Sequence, residues 1–169
     1  VDVDLGPGEV VLIEPGAMSR MSSNMKSSFK RQGSFFSAIF RKMFGGENFF
    51  LGKYEHPNGG SLTFAPSIPG HVEHRQLSNN SLNVMAGCFL ACTPGVNIKA
   101  KFGGLKAFFS GEGAFLLETS GSGDLFFNSF GGIVKKEING EFIVDTGHVV
   151  AFDSLSLIHI SEPTRPTPI

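Results

Sequence analysis

Short apolar runs separated by glycine-bearing breaks dominate this chain. Val10-Val-Leu-Ile13, Leu82-Asn-Val-Met85, Asp124-Leu-Phe-Phe-Asn128 and Glu141-Phe-Ile-Val-Asp145 are rich in β-branched or aromatic side chains, and Gly, Asn, Ser or Pro stand nearby. Runs of this length and composition predict strands. Asn139-Gly140 predicts a hairpin turn between the run holding Ile133 and Val134 and the run holding Phe142. Asn58-Gly-Gly60 predicts another, between Phe50-Leu51 and Leu62-Thr-Phe64, and Pro66 and Pro69 mark an edge or loop. One stretch departs from this rhythm. Phe36, Phe40, Met43 and Phe44 recur at helical spacing behind a Ser34 cap, which predicts a short helix over 34–44.

The runs repeat. Phe44, Gly46, Glu47, Phe50 and Leu51 align at constant offset with Phe109, Gly111, Glu112, Phe115 and Leu116. Further on, Leu82 to Ala91 parallels Phe142 to Ala151, each an apolar run broken by one glycine, and Val10 to Met18 has the same shape. The three glycines, Gly16, Gly87 and Gly147, recur roughly every 60 to 70 residues and mark internal duplication. The expected unit is a set of strands, each ending at a glycine whose backbone angle other residues avoid.

Composition agrees with such a fold. The 169 residues are 41% hydrophobic and 17% charged, which is globular, and 22 glycines among short runs imply many tight turns. Fourteen basic residues against 15 acidic give a net charge of −1, so no dominant nucleic-acid surface is expected. No run of apolar residues reaches the length of a membrane-spanning helix. Cys88 and Cys92 would be about 13 Å apart on one extended strand, too far to bridge, and read as buried thiols.

Candidate chemistry is sparse. Val144-Asp145-Thr146-Gly147 is similar to an aspartic-protease strand, but that chemistry needs two facing carboxylates sharing a proton. No second Asp-Thr-Gly exists, so a turn shared by two repeats is the better reading. His71-Val-Glu-His74 places two histidines three apart, on opposite faces of a strand, so a solvated stretch is expected and not a metal site. The pairs Gly45-Gly46, Gly103-Gly104 and Gly131-Gly132 lack the spacing of a phosphate loop. No catalytic set, cofactor site or metal site is expected. The informative segment is 20–44, where Arg20, Lys26, Lys30, Arg31, Arg41 and Lys42 mix with Phe29, Phe35, Phe36, Phe40 and Phe44. Basic charge beside an aromatic stripe suits an interfacial contact, with Phe36, Phe40, Arg41, Lys42 and Phe44 as its candidate carriers. The plainer reading packs the stripe on the β core or on a sister subunit.

Phe102-Gly-Gly-Leu-Lys106, Gly111-Glu-Gly-Ala-Phe-Leu116 and Val144-Asp-Thr-Gly-His-Val-Val-Ala-Phe152 resemble signature strings of the Altered Inheritance of Mitochondria protein 24 family. Pro7-Gly8-Glu9, Pro15-Gly16-Ala17-Met18 and Thr93-Pro94-Gly95-Val96 fit the same family. The resemblance covers Val1 to about Phe152. It implies an all-β, TRAP-like double-stranded β-helix or sandwich of internal repeats, with no established catalytic residues. It further implies a non-catalytic structural or interaction protein, an oligomeric scaffold for membrane-linked assemblies. Its partners would be copies of itself, other proteins or a membrane surface. The compartment would be cytoplasmic in a bacterium and mitochondrial in a eukaryote. The alternative is a binding module for a small ligand or RNA, although one Tyr and no Trp offer little for RNA stacking.

From Leu155 to Arg165 the sequence resembles a translated transposase adapter of sequencing libraries and is set aside from fold reasoning. One domain over 1–154 followed by a non-native 155–169 tail is therefore expected. A full family member would continue with a further unit, so strand edges are expected to be left unpaired here.

Overall fold

The computed structural model describes residues 1–31, 50–102, 115–140, 142–153 and 159–160. The chain forms strands β1 (Asp2–Leu5), β2 (Val10–Ile13), β3 (Met18–Met21), β4 (Lys26–Arg31), β5 (Phe50–Glu55), β6 (Gly60–Phe64) and β7 (Val72–Met85). They continue as β8 (Phe89–Cys92), β9 (Val96–Phe102), β10 (Phe115–Asn128), β11 (Ile143–Val144), β12 (Ala151–Asp153) and β13 (His159–Ile160). The fold is all-β; its only helical pieces among the described residues are two 3₁₀ turns, Ala86–Cys88 and Thr146–His148. The expected helix over 34–44 lies outside the described residues.

An eight-stranded sheet runs β12-β7-β10-β8-β2-β5-β4, with β9 joined to β10, and a three-stranded sheet runs β1-β6-β3. Alternation along β2 serves two cores at once. Val11 and Ile13 join Leu62, Phe64, Leu90 and Ala91, which fill the space under the three-stranded sheet. Leu12 joins Leu51, Phe89, Cys92 and Leu125 on the other side, together with Leu82, Val84, Val96, Ile98 and Leu117. The far halves of β7 and β10, with β9, thus cover the face that the three-stranded sheet leaves bare.

The long β7–β10 ladder can serve both roles because it bends. Its register slips between Gly121 and Ser122, leaving Asn79 bulged at φ 57°. The bulge is stitched by side chains: the Ser122 hydroxyl donates to Asn79 Oδ1 at 3.0 Å, and the Asn79 N–H donates to Ser122 Oγ at 3.2 Å. At the bend Gly121 has φ +105°, and a Cβ there would sit 2.4 Å from the Gly95 carbonyl oxygen. Only glycine fits.

The glycine breaks that suggest duplication fall at different places in the strand order. β2 and β8 pair antiparallel, Leu12 with Cys92 and Ile13 with Ala91. Each strand is followed by a Pro-Gly turn, Pro15-Gly16 and Pro94-Gly95, so the two match at an offset of 79 (94 − 15 = 79). On that offset the counterparts face opposite cores, Leu12 one and Ala91 the other, so the two strands share a turn pattern and not a symmetry axis. Gly16 therefore corresponds to Gly95, while Gly87 sits in the turn before β8 as Gly8 does before β2. Gly147 likewise lies in the 3₁₀ turn that precedes β12. Gly16 has φ +87°, but Gly87 and Gly147 have no positive φ, so the expectation of a special backbone angle fails at those two.

Two turn expectations need correction. Asn58-Gly59 does turn the chain, with Gly59 at φ +83°, but it carries β5 of the large sheet into β6 of the small one. The cause is His56, which ties three turns together. Its Nδ1 accepts the Asn58 N–H at 3.2 Å, which leaves Nε2–H to donate to the Ser23 carbonyl at 2.9 Å. Its own carbonyl accepts the Gly8 N–H at 2.9 Å. At Asn139-Gly140 the chain also bends, with Gly140 at φ +96°, yet residues 132–138 form no strand. Instead β11 pairs in parallel with β13, so His159–Ile160 of the segment set aside as a tail forms part of a two-stranded ribbon.

Candidate functional site

The candidate contact residues Phe36, Phe40, Arg41, Lys42 and Phe44 lie outside the described residues. The part of the basic segment that is described divides between two sheets. Arg20, on β3, turns to the outer face of the three-stranded sheet, where its guanidinium donates to Thr63 Oγ1 at 2.9 Å and Asp2 Oδ1 at 3.0 Å. The Thr63 hydroxyl donates to the same Asp2 oxygen, and these bonds hold the Asp2 carboxyl below its ordinary range. Ser22 and Ser61 complete the rim of a shallow depression of about 350 Å³.

Lys26 and Phe29 belong to β4, which pairs only with β5 among the described residues and so forms an edge of the large sheet. Phe29 stands across from Gly52, whose open side is already occupied by the Tyr54 ring. Phe29 cannot settle there and is 78% exposed. Lys26, Ser27 and Ser28 are exposed as well.

The other motifs resolve into local structure. Asp145 Oδ2 accepts the Gly147 N–H at 3.2 Å and lies 2.9 Å from His148 Nδ1, so this carboxylate holds its own 3₁₀ turn. The equivalent turn, Ala86–Cys88, has Met85 where Asp145 stands. His71 Nε2 lies 3.3 Å from Glu73, while His74 Nε2 lies 2.8 Å from Asp124 and its ring stacks on Phe126 at 4.7 Å. The two histidines thus take separate partners. Cys92 is buried at the end of β8, but Cys88 is half-buried in the turn before it, not on the same strand.

Sequence reasoning passed over Glu14. It closes the apolar run of β2, its N–H donates to the Leu90 carbonyl at 2.9 Å, and its carboxyl lies half-buried near Cys88. Burial pushes that carboxyl up to about 7. The Cys88 thiol is raised too, by burial first and by the Glu14 charge second, which makes it a poor nucleophile. The signal was available: a carboxylate directly after four apolar residues and before Pro15-Gly16, where the matching turn has Thr93.

Residues 1–162 match the family model described as mitochondrial biogenesis AIM24. The chain belongs to the AIM24 family. It is similar to an uncharacterised protein of Streptococcus pyogenes serotype M6, 32% identical over 161 residues, which cover 90% of this chain and 65% of that protein. The chain thus spans just under two thirds of the length of that relative. A crystal structure of a Streptococcus pyogenes protein superposes with a TM-score of 0.71 at 31% identity, over 89% of this chain and 68% of that one. Several strings that carry the AIM24 resemblance are turns and strand starts: Pro7-Gly8, Pro15-Gly16, Pro94-Gly95 and Asp145-Thr146-Gly147. In this AIM24 chain they carry the backbone from one strand to the next.

Proposed function

We propose that this AIM24-family chain is a non-catalytic interaction protein, an oligomerising β scaffold within membrane-linked assemblies. The observation that carries the reading is apolar exposure on β4, on β11 and in the segment between β10 and β11. Phe29 and Phe130 are each 78% exposed, Val134 91% and Ile143 72%. Large apolar groups left in water suit surfaces that other copies or partners cover. The segment 34–44 adds a basic, phenylalanine-rich stretch next to β4 in sequence.

The alternative, a module for a small ligand or RNA, draws on the depression at Asp2, Arg20, Ser61 and Thr63. Those polar groups already bond to one another, which favours the scaffold reading.

The test combines sedimentation velocity with co-sedimentation on vesicles of phosphatidylcholine and anionic lipid. The reading expects a concentration-dependent oligomer and vesicle binding that falls when Phe36 and Phe40 become Ser. A monomer at all concentrations that ignores vesicles sinks it.

A further inference from the structure

β4 is a six-residue edge strand, Lys26–Arg31, and no other described strand pairs with its outer side. An edge of this kind presents a row of backbone N–H and C=O groups ready to extend the sheet. Lys26 through Phe29 are exposed, so the strand stands clear of both cores. Its charge is one-sided. Lys26, Lys30 and Arg31 lie on β4 and Lys53 on β5, against Glu55 alone, a local excess of three positive charges (4 − 1 = 3) on a chain of net −1. Glu55 is moreover engaged by Lys53 at 2.8 Å.

We propose that β4 is a docking edge for an extended acidic peptide of a protein partner, which adds to the large sheet as a further antiparallel strand. The proposal deepens the reading of the chain as an interaction protein and rests on it. Strand addition gives affinity through main-chain bonds and specificity through alternate side chains. Acidic residues would take the register positions opposite Lys26, Lys30 and Arg31 on β4, and an apolar residue the position opposite Phe29. A second copy of β4 fits worse. Centred antiparallel self-pairing sets Lys26 against Arg31 and Ser27 against Lys30, which places like charges opposite each other. A lipid surface also fits worse, because hydrocarbon cannot bond the outward backbone groups.

The probe is a fluorescein-labelled peptide reading Glu-Glu-Val-Thr-Thr-Glu between glycines, titrated with the full chain and followed by anisotropy. Saturable binding is expected. It should weaken about tenfold in Lys26→Glu, by the loss of one charge contact, and also weaken in Phe29→Ser. A second peptide, with proline in place of the valine and the second threonine, keeps every charge but cannot complete the ladder. It should not bind. Equal binding of the two peptides, or none by either, overturns the proposal. So would a Phe29-dependent dimer in sedimentation, or Phe29-dependent capture by vesicles containing phosphatidylserine, since each assigns the edge to a different occupant. Oligomerisation that survives while peptide binding fails would leave the scaffold reading standing alone.

Discussion

Glu14 is the side chain whose chemistry the fold alters most among the described carboxyls. Its ordinary carboxyl value of 4.5 rises to about 7 because folding half-buries the group. A raised acid favours the folded state most when it is protonated. Its contribution is therefore complete below about pH 4.5 and is lost as pH climbs through 7. Replacing it with Gln removes the penalty of the buried charge. Glu14→Gln should stabilise the protein at pH 8 by about 1–2 kcal/mol, discounted for partial solvent access, and do nothing at pH 4. Parallel urea titrations at the two pH values measure the difference; an equal effect at both would show that charge is not the cause. That position was legible in outline, as a carboxylate at the end of an apolar run. What the sequence could not supply was that Leu90 of β8 and Cys88 of the turn before it, 76 and 74 residues on (90 − 14 and 88 − 14), would lie beside it.

Strands themselves were the most readable elements. β2, β6, β8 and β10 fall where short apolar runs stood, because alternation and turn residues are local signals. Partners were not readable. Asn58-Gly59 looked like a hairpin because a turn between two apolar runs usually is one, and nothing local revealed that His56 would steer the chain into the other sheet. The glycine register was misjudged for a similar reason. Gly16, Gly87 and Gly147 share neighbours in sequence, but only pairing distinguishes the turn before a central strand from the turn after it. These elements make a paired prediction. Gly121→Ala puts a Cβ against the Gly95 carbonyl at a positive φ and should cost about 2–3 kcal/mol, a fall in Tm of roughly 5–10 °C. Gly87→Ala meets open space at an ordinary angle and should leave Tm within about 2 °C. Calorimetry on the two variants side by side checks both, and equal losses would refute this account of the bend.

For the whole molecule, all-β class and family membership were legible, because the Pro-Gly turns and the Asp-Thr-Gly-His turn are local strings of sequence. The candidate contact segment beyond Arg31 lies outside the described residues, and β4 and β5 flank it in sequence. There the sequence showed basic and aromatic character but not that Tyr54 would take the space over Gly52 and leave Phe29 in water.

The pairing of β1 with β6 has a kinetic consequence. Asp2 finds Thr63, and the Val1 ammonium reaches the Phe64 carbonyl at 2.8 Å across 63 positions, so the small sheet exists only after a long excursion of chain has come back. The β7–β10 ladder joins residues 31 positions apart at its nearer end (116 − 85 = 31) and 56 apart at its far end (128 − 72 = 56), and must zip past a bulge. Entropy is lost before these distant partners repay it, and refolding from urea should take roughly milliseconds to seconds, slower than a helical domain of equal length. Stopped-flow fluorescence of Tyr54, the single tyrosine, reports the step directly. A microsecond phase carrying the full amplitude would mean that the ends meet early.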